Sequence, residues 1–313
     1  MSRVSCKYFF ALCCWFFVLS ACAGQPESQP AASPTAVVPL ARENAAIATA
    51  EATGDMRIRA NAYYERGNTQ FDAGEYDAAI EDYDRAVRLD PRHARAFNNR
   101  GLARAALGRN AEALADYGQA IMLDPSYVRA YQNRLRLLEQ SGDLKAIAAD
   151  CARLAALDRA NAADYLYREG SAFHSLRNFA AARRAYDAAL AANPQHVDAL
   201  YERALLSFAE HKLPAVIADL DAAIRLSPRA ANAYYVRGLV WSAQGDQRRA
   251  LVDFSQALKL KPGYAEALLA RASAYHAAKD STGVRIDLDA LAKLELDDGL
   301  KAAVEALRRQ VGQ

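Results

Sequence analysis

The sequence predicts an all-α protein built from stacked helix pairs. In a 34-residue stretch from Ala231 to Tyr264, apolar residues recur at helical spacing on both sides of a Gly245-Asp246 break. The stretch has copies, because prolines that close a second helix recur at spacings of 34, 69, 34 and 34 residues. Small residues also recur where two helices must approach closely. The prolines are Pro91, Pro125, Pro194, Pro228 and Pro262, and the small residues in the eighth place of each copy are Gly67, Gly101, Gly170, Ala204, Gly238 and Ala272.

Each copy is predicted to need its neighbours. Two short amphipathic helices cannot bury their apolar faces alone, so a pair requires another pair on each side. The third copy departs most from the pattern, with Leu135 for the small residue, Arg159 for the proline and Cys151 for the usual aromatic. The seven predicted repeats span residues 60–93, 94–127, 128–162, 163–196, 197–230, 231–264 and 265–298.

This pattern resembles the tetratricopeptide repeat family over residues 60–298, about three quarters of the chain. The resemblance implies a right-handed α-solenoid of about seven helix-turn-helix repeats. It also implies that the first helices of the repeats line a concave groove that binds segments of other proteins.

Segments on both sides of the repeats are also predicted to be helical. Residues 40–59 are Ala-rich, with a break at Gly54 and Asp55 placed to cap the next helix. Residues 299–313 alternate apolar and charged faces, which predicts a C-terminal capping helix.

The N-terminus has the features of a secretory signal. Arg3 and Lys7 precede an apolar run of about a dozen residues, which is too short to span a membrane comfortably. The run ends in Leu-Ser-Ala-Cys at Cys22, which resembles the bacterial lipobox, so residues 1–21 are predicted to be a lipoprotein signal peptide and Cys22 to be acylated. The alternative is an ordinary signal peptide or an uncleaved anchor that happens to contain cysteine.

The residues after the predicted signal peptide indicate a tether and a membrane location. Residues 22–39 hold four prolines among Ser, Gln and Ala, which favours a semi-extended tether. Lipoproteins with aspartate after the acylated cysteine are commonly retained in the inner membrane. Ala23 stands there, so the resemblance implies an outer-membrane lipoprotein that faces the periplasm.

Composition argues against several functional classes. The full chain carries a net charge of +2, and Arg3 and Lys7 account for it, so residues 22–313 have no net charge that would favour nucleic acid. The sequence lacks HExxH, GxSxG, CxxC and phosphate-binding glycine motifs, and its five histidines have no metal-ligand spacing. Cys151 is expected to be a buried structural thiol. We therefore predict no enzyme, no metal site, no cofactor and no small-molecule substrate.

One charged pattern recurs with the repeat. Arginine occupies the seventh place and aspartate the twenty-third in six repeats, whereas the fourth repeat has Glu169 and Ala185 there. The joint loss predicts structural ion pairs at the seam between the two helices of a repeat, since the arginine fork matches a carboxylate. The alternative is solvated charges on outer faces. The predicted pairs include Arg66 with Asp82, Arg100 with Asp116, and Arg237 with Asp253.

The resemblance also places residues in the groove. Tyr167, Tyr201 and Tyr235 share the fifth place of three consecutive repeats and are expected to form an aromatic ladder for a bound segment. The alternative is a wettable inner surface without a ligand. The full predicted groove set is Tyr64, Asn68, Asn98, Arg129, Tyr167, Tyr201, Leu205, Phe208, Tyr235 and Leu239, beside a basic region at Arg95, Arg129 and Arg136.

The resemblance implies a non-catalytic adaptor of a bacterial envelope, anchored to the bilayer and binding other envelope proteins. The alternative is an assembly factor for a pilus, a secretin or a polysaccharide exporter. Asn68, Asn99 and Arg129 partly match the carboxylate-clamp version of the repeat, but Tyr64 stands where that version has a basic residue.

Overall fold

The computed structural model describes residues 40–312. They form sixteen α-helices and one 3₁₀ turn, with no strand among the described residues. The prediction of an all-α solenoid is confirmed. The predicted signal peptide, Cys22 and the tether lie outside the described residues. The helices are α1 Ala41–Thr53, α2 Met56–Asp72, α3 Tyr76–Leu89, α4 Ala94–Ala106, α5 Asn110–Leu123, α6 Val128–Ser141, α7 Leu144–Leu157, α8 Ala162–Ser175, α9 Phe179–Ala192, α10 Val197–Ala209, α11 Leu213–Leu226, α12 Ala231–Ala243, α13 Gln247–Leu260, α14 Ala265–Ala277, α15 Ser281–Leu291 and α16 Asp298–Val311.

The turn inside every helix pair contains one residue in the left-handed conformation. Glycine serves in four pairs, as Gly74, Gly108, Gly142 and Gly245. The other three pairs use Arg177, His211 and Lys279, with φ of 58°, 59° and 63°. A side chain is unfavourable in this conformation, so these three turns carry strain that the glycine turns do not.

Close packing of the two helices depends on a small residue facing an aromatic ring. A Cβ added to Gly170 would lie 2.4 Å from Cε1 of Tyr186, and one added to Gly238 would lie 2.6 Å from Cε1 of Phe254. These rings are fully buried. The recurring glycine is therefore required by the ring that packs directly against it.

The third repeat exchanges these roles. Leu135 stands in place of the glycine and Cys151 in place of the ring, and both are buried in the same cluster. The larger residue has moved to the first helix and the smaller one to the second, so the seam is filled from the opposite side. The turn after α7 also differs, since a 3₁₀ turn at Arg159–Asn161 replaces the proline and accommodates the extra residue. In consequence α7 approaches α8 more extensively than it approaches α6.

A helix outside the repeats lies at each end of the stack, α1 before the first repeat and α16 after the last. Gly54 ends α1, and the Asp55 carboxylate caps α2 at the amides of Arg57 and Ile58. The first repeat helix therefore begins before residue 60. At the other end, Asp297 caps α16 at Leu300, and one apolar face of α16 is buried. That face consists of Leu300, Val304 and Leu307.

Candidate protein-binding groove

The candidate groove is formed by the first helices of the pairs: α2, α4, α6, α8, α10, α12 and α14. The second, fifth and ninth places of each repeat lie on one face of these helices, because residues three or four apart are about one helical turn apart. Fifth-place tyrosines occur in α2, α8, α10 and α12. All four are partly buried, so each presents only part of its ring to solvent.

Three of these tyrosines are held by rings on both sides. The ring centroid of Tyr64 lies 6.0 Å from that of Tyr83, which is buried between the two helices of the repeat. It lies 4.8 Å from that of His93, which belongs to the following turn. Tyr167 and Tyr235 have the same arrangement, with His196 and Tyr264 as the turn rings at 4.9 and 5.0 Å. These contacts fix the rings and add roughly 0.5–1.5 kcal/mol per pair beyond burial.

The tyrosines of the predicted ladder also pack against the interior of the repeats. Tyr201 has no such ring partner among residues 40–312, but it packs with Leu205 and Phe208 on the cluster around Leu220. Burial raises the pKa of the Tyr201 hydroxyl above its usual value. The tyrosines are thus part of the packing that supports the groove, and a change to alanine would disturb the fold as well as the surface.

Two turn histidines have a role that sequence reasoning missed. The Nδ1 atoms of His93 and His196 accept hydrogen bonds from the amides of Ala96 and Ala199 and so cap α4 and α10. Their rings pack against tyrosines in a tilted arrangement, and their Nε2 atoms lie 3.0 Å from Asn61 and 3.1 Å from Asp164. The same arrangement in two repeats indicates a structural function.

Amide side chains connect α2, α4 and α6 across the N-terminal part of the groove. Asn68 Oδ1 accepts hydrogen bonds from the Tyr83 hydroxyl and from Asn99 Nδ2, each at 2.9 Å. Asn98 Nδ2 donates to Asn99 Oδ1, and Asn133 Nδ2 donates to Asn98 Oδ1, again at 2.9 Å. Asn98 is only 2% exposed, so it presents almost no surface to a ligand. It holds the amides of its neighbours in position instead.

The C-terminal part of the groove has an apolar floor. Leu205 and Phe208 of α10 and Leu239 of α12 are partly buried, and each packs against a core cluster while retaining exposed surface. This combination of a fixed apolar side chain and remaining exposure is typical of protein-binding surfaces.

The basic region predicted in the groove is exposed and unpaired. The side chains of Arg95, Arg129 and Arg136 make no ion pair or hydrogen bond with any of residues 40–312. By contrast, the Arg168 side chain of the fourth repeat pairs with Glu139.

Below the groove, arginine-aspartate forks join the two helices of six repeats. In each, Nε and Nη2 donate to the two oxygens of one aspartate over 2.5–3.0 Å. The aspartates are almost completely buried, which excludes solvated charges on outer faces. The hydrogen bond to Asp253 raises the pKa of Arg237 above its usual value. The forks are Arg66 with Asp82, Arg100 with Asp116, Arg134 with Asp150, Arg203 with Asp219, Arg237 with Asp253, and Arg271 with Asp287.

A second bond, which sequence reasoning missed, extends the forks to the preceding helix. The Nη1 atom of five of these arginines donates to a polar group one helix earlier. Arg134 has Gly118 in that position and makes no such bond, and the fourth repeat has no fork because Glu169 faces Ala185. Burial raises the pKa of Glu169. The second bonds join Arg66 to Asn44, Arg100 to Asp84, Arg203 to Asp187, Arg237 to Asp221 and Arg271 to Ser255, at 2.6–3.2 Å.

The remaining side-chain chemistry is limited in the part of the chain that the structure describes. Burial raises the pKa of the Cys151 thiol to about 12, which keeps it protonated and unreactive at neutral pH. Residues 40–312 contain no cluster of three or more His, Cys, Asp or Glu side chains arranged for a metal ion. Within the same residues, no helix is both long and apolar enough to cross a bilayer.

Comparison with known proteins agrees with this geometry. Family models described as "TPR repeat" and "Tetratricopeptide repeat" match residues 67–108, 94–127 and 167–215. The matched residues therefore carry tetratricopeptide repeats. Such repeats bind peptide or protein partners, so the chain has the architecture of a protein-interaction scaffold. Comparison with curated proteins gives no match.

Solved tetratricopeptide repeat structures share the fold. The C-terminal part of a repeat protein from Cytophaga hutchinsonii superposes with a TM-score of 0.59 at 15% identity, over 78% of this chain and 99% of that one. YrrB, described as a TPR protein with an unusual peptide-binding site, superposes with a TM-score of 0.51 at 20% identity, over 64% of this chain and 99% of that one. At these identities the similarity concerns the fold alone.

Proposed function

We propose that the protein is a non-catalytic scaffold that binds a segment of another envelope protein in the groove and holds it near the membrane. The observation that carries the proposal is the partly exposed apolar floor of Leu205, Phe208 and Leu239, fixed on rigid helices. Tetratricopeptide repeat proteins are generally non-catalytic adaptors, and YrrB, which shares the fold, is described as having a peptide-binding site.

The energetics fit a segment that is held by a few side chains. Association restricts the motion of both partners, so residues that are already fixed cost less entropy to order. Leu205, Phe208 and Leu239 are fixed by the core, and the tyrosine hydroxyls beside them can hydrogen-bond a partner's backbone. Truncation of one such side chain in a hot spot costs about 2 kcal/mol or more of binding free energy.

The proposal is tested by photocrosslinking in the native envelope. A photoreactive amino acid at Leu239 should capture a defined partner protein. The matched control is Val252, an apolar residue on the second helix of the same repeat that is 66% exposed. Equal capture from both positions, or no capture from Leu239, would contradict binding in the groove.

The membrane anchor is a separate part of the proposal and is supported by the sequence around Cys22. Acyl chains contribute about 0.8 kcal/mol per buried CH₂, so several chains on one cysteine give stable attachment. Cys22→Ser should move the protein out of the membrane fraction, and the wild-type mass should show the lipid. Separation of inner and outer membranes then tests the outer-membrane location that Ala23 suggests. An unmodified Cys22 in the mature chain would refute the anchor.

A further inference from the structure

The groove has two unlike halves, one over the second and third repeats and one over the fifth and sixth. They differ in the charge at the edge of the groove and in the polarity of its floor. The second place of each repeat lies on the groove face of the first helix and marks one edge of the groove. This edge carries Arg95 and Arg129 in the second and third repeats, and acidic residues in the fourth, fifth and seventh. The acidic residues are Asp164, Asp198 and Glu266.

The cationic half has three arginines available to a ligand. Burial raises the pKa of the Tyr127 hydroxyl, and Arg95 and Arg129 partly oppose the rise, so both guanidinium groups act on the same small region. Arg136 is seven residues beyond Arg129, two helical turns further along the same face of α6. All three are exposed and lack an intramolecular partner among residues 40–312. Unpaired guanidinium groups favour carboxylates.

The floor under these arginines is polar. The hydrogen-bonded amides of Asn68, Asn99 and Asn133 connect three successive first helices. Amides held in fixed positions can use their remaining donors and acceptors to bind polar side chains or backbone groups of a ligand, whereas an apolar side chain placed there would cover those groups without bonding them. This half therefore selects a polar, acidic stretch and disfavours an apolar one.

The other half has the opposite character. Leu205, Phe208 and Leu239 form its floor, and Asp198 and Glu266 at its edge make no ion pair with any described residue. The two halves are separated by more than one helix pair, and packed helices lie about 8–10 Å apart. The distance between the two halves therefore exceeds the screening length of about 8 Å at physiological salt, so each half acts on its own part of a ligand.

We propose that the groove binds a partner segment of two unlike parts, with an acidic, polar part over the second and third repeats and an apolar part flanked by basic residues over the fifth and sixth. This proposal rests on the proposed function, since it assumes that the groove binds protein. Charge complementarity of this kind fixes the orientation of the segment in the groove and excludes segments of the reverse pattern.

The test uses two synthetic peptides with fluorescent labels and the full-length protein in detergent. Both have the same composition of Asp, Ser, Leu, Phe and Lys, and blocked termini so that no terminal charge contributes. The block peptide separates an acidic part from an apolar, Lys-flanked part, and the mixed peptide intersperses all the residues. We expect the block peptide to bind roughly tenfold more tightly by fluorescence anisotropy. Equal affinity, or no binding by the block peptide, would overturn the proposal.

Two matched variants locate the effect. Arg95→Glu, Arg129→Glu and Arg136→Glu combined should abolish the preference for the block peptide. Arg88→Glu, Arg184→Glu and Arg248→Glu combined changes the net charge equally, at exposed positions on the second helices, and should keep the preference. If the groove variant lost helical structure, the corresponding Arg→Gln variant would replace it. A preference that survives in the groove variant would refute the proposal.

Failure here is distinguishable from failure of the proposed function. Crosslinking from Leu239 in the envelope depends on a partner in the groove but does not depend on its charge pattern. A captured partner whose crosslinked segment lacks acidic residues beyond its apolar part would leave the scaffold function intact and refute the two-part ligand.

Discussion

Arg237 connects three helices through one guanidinium group. Its Nε and Nη2 atoms donate to both oxygens of Asp253 at 2.8 and 2.7 Å, and its Nη1 atom donates to Asp221 of the preceding repeat at 2.6 Å. Asp253 is 5% exposed at its side chain, whereas Asp221 is 40% exposed. The first contact is therefore desolvated and the second is partly screened by water.

The two contacts should differ in stability. Arg237→Ala leaves the Asp253 carboxylate buried and alone, so we expect a loss of about 3 kcal/mol in the free energy of unfolding. Asp221→Ala should cost only about 0.5–1 kcal/mol. Urea unfolding measures both, and a double-mutant cycle with Asp253→Ala should show strong coupling. Similar losses for Arg237→Ala and Asp221→Ala would mean that the buried fork is not the main contact.

The forks could be predicted from sequence, but the second bonds were not. Arginine in the seventh place and aspartate in the twenty-third occur in the same six repeats. Both are absent from the fourth repeat, which has Glu169 and Ala185, and this joint absence indicates a pair. The second bond also spans 16 residues, as between Asp221 and Arg237, but it crosses a repeat boundary. Its partner changes between Asn, Asp and Ser, so the recurrence is hidden in the sequence.

The groove was predicted in outline only. The repeat register places residues on its face, but burial depends on what the following turn contributes. Tyr64 is covered by the ring of His93, and Asn98 hydrogen-bonds Asn99 of its own helix and Asn133 of the next repeat. His93 lies in the turn after the second helix of its repeat and Asn133 lies in the next repeat, so a periodicity argument within one helix could not reveal either contact.

Gly170 should be intolerant of any side chain. A Cβ there would lie 2.4 Å from the buried Tyr186 ring, and Gly170→Ala should cost about 2–3 kcal/mol in stability. Gly118 provides the matched control, since it is also inside a helix but its nearest neighbour would be 3.8 Å away. Gly118→Ala should stabilise by about 0.5–1 kcal/mol, because alanine has the higher helix propensity. Losses of equal size in denaturant unfolding would contradict the close approach at Gly170.

The left-handed turns give a prediction in the stabilising direction. Lys279 adopts φ of 63° where four other repeats have glycine, and it is exposed. Lys279→Gly should raise the free energy of unfolding by about 0.5–1 kcal/mol, because relief of the strain outweighs the added freedom of the unfolded chain. The reverse change, Gly245→Lys, should lower it by a similar amount. A loss of stability in Lys279→Gly would show that the lysine side chain contributes more than its backbone costs.

The fourth repeat offers a test of whether the fork can be restored. Glu169→Arg combined with Ala185→Asp recreates the pair found in six other repeats and should raise stability by about 1 kcal/mol. Ala185→Asp alone places a second carboxylate beside Glu169 and should lower stability by about the same amount. Thermal or urea unfolding of the single and double variants measures the coupling. Additive effects would mean that the two side chains do not meet in this repeat.

Glu169 should also make stability depend on pH. Burial raises its pKa above the ordinary value of 4.5, and it has no ion-pair partner among residues 40–312. The folded protein therefore binds this proton more tightly than the unfolded chain does. The stability contributed by the group is fully present below pH 4.5 and is lost as the pH rises through the folded-state pKa.

Glu169→Gln cannot ionise, so its free energy of unfolding relative to wild type should rise with pH and then level off once Glu169 is charged. The comparison is made by urea unfolding at matched ionic strength from about pH 4 to pH 8, where carboxylates other than Glu169 cancel between the two proteins. Glu305→Gln, at an exposed position of α16, controls for the removal of one negative charge. If the advantage of Glu169→Gln decreased as the pH rose, the ionised carboxylate would have to be stabilised in the folded state, and its isolation at the seam would be refuted.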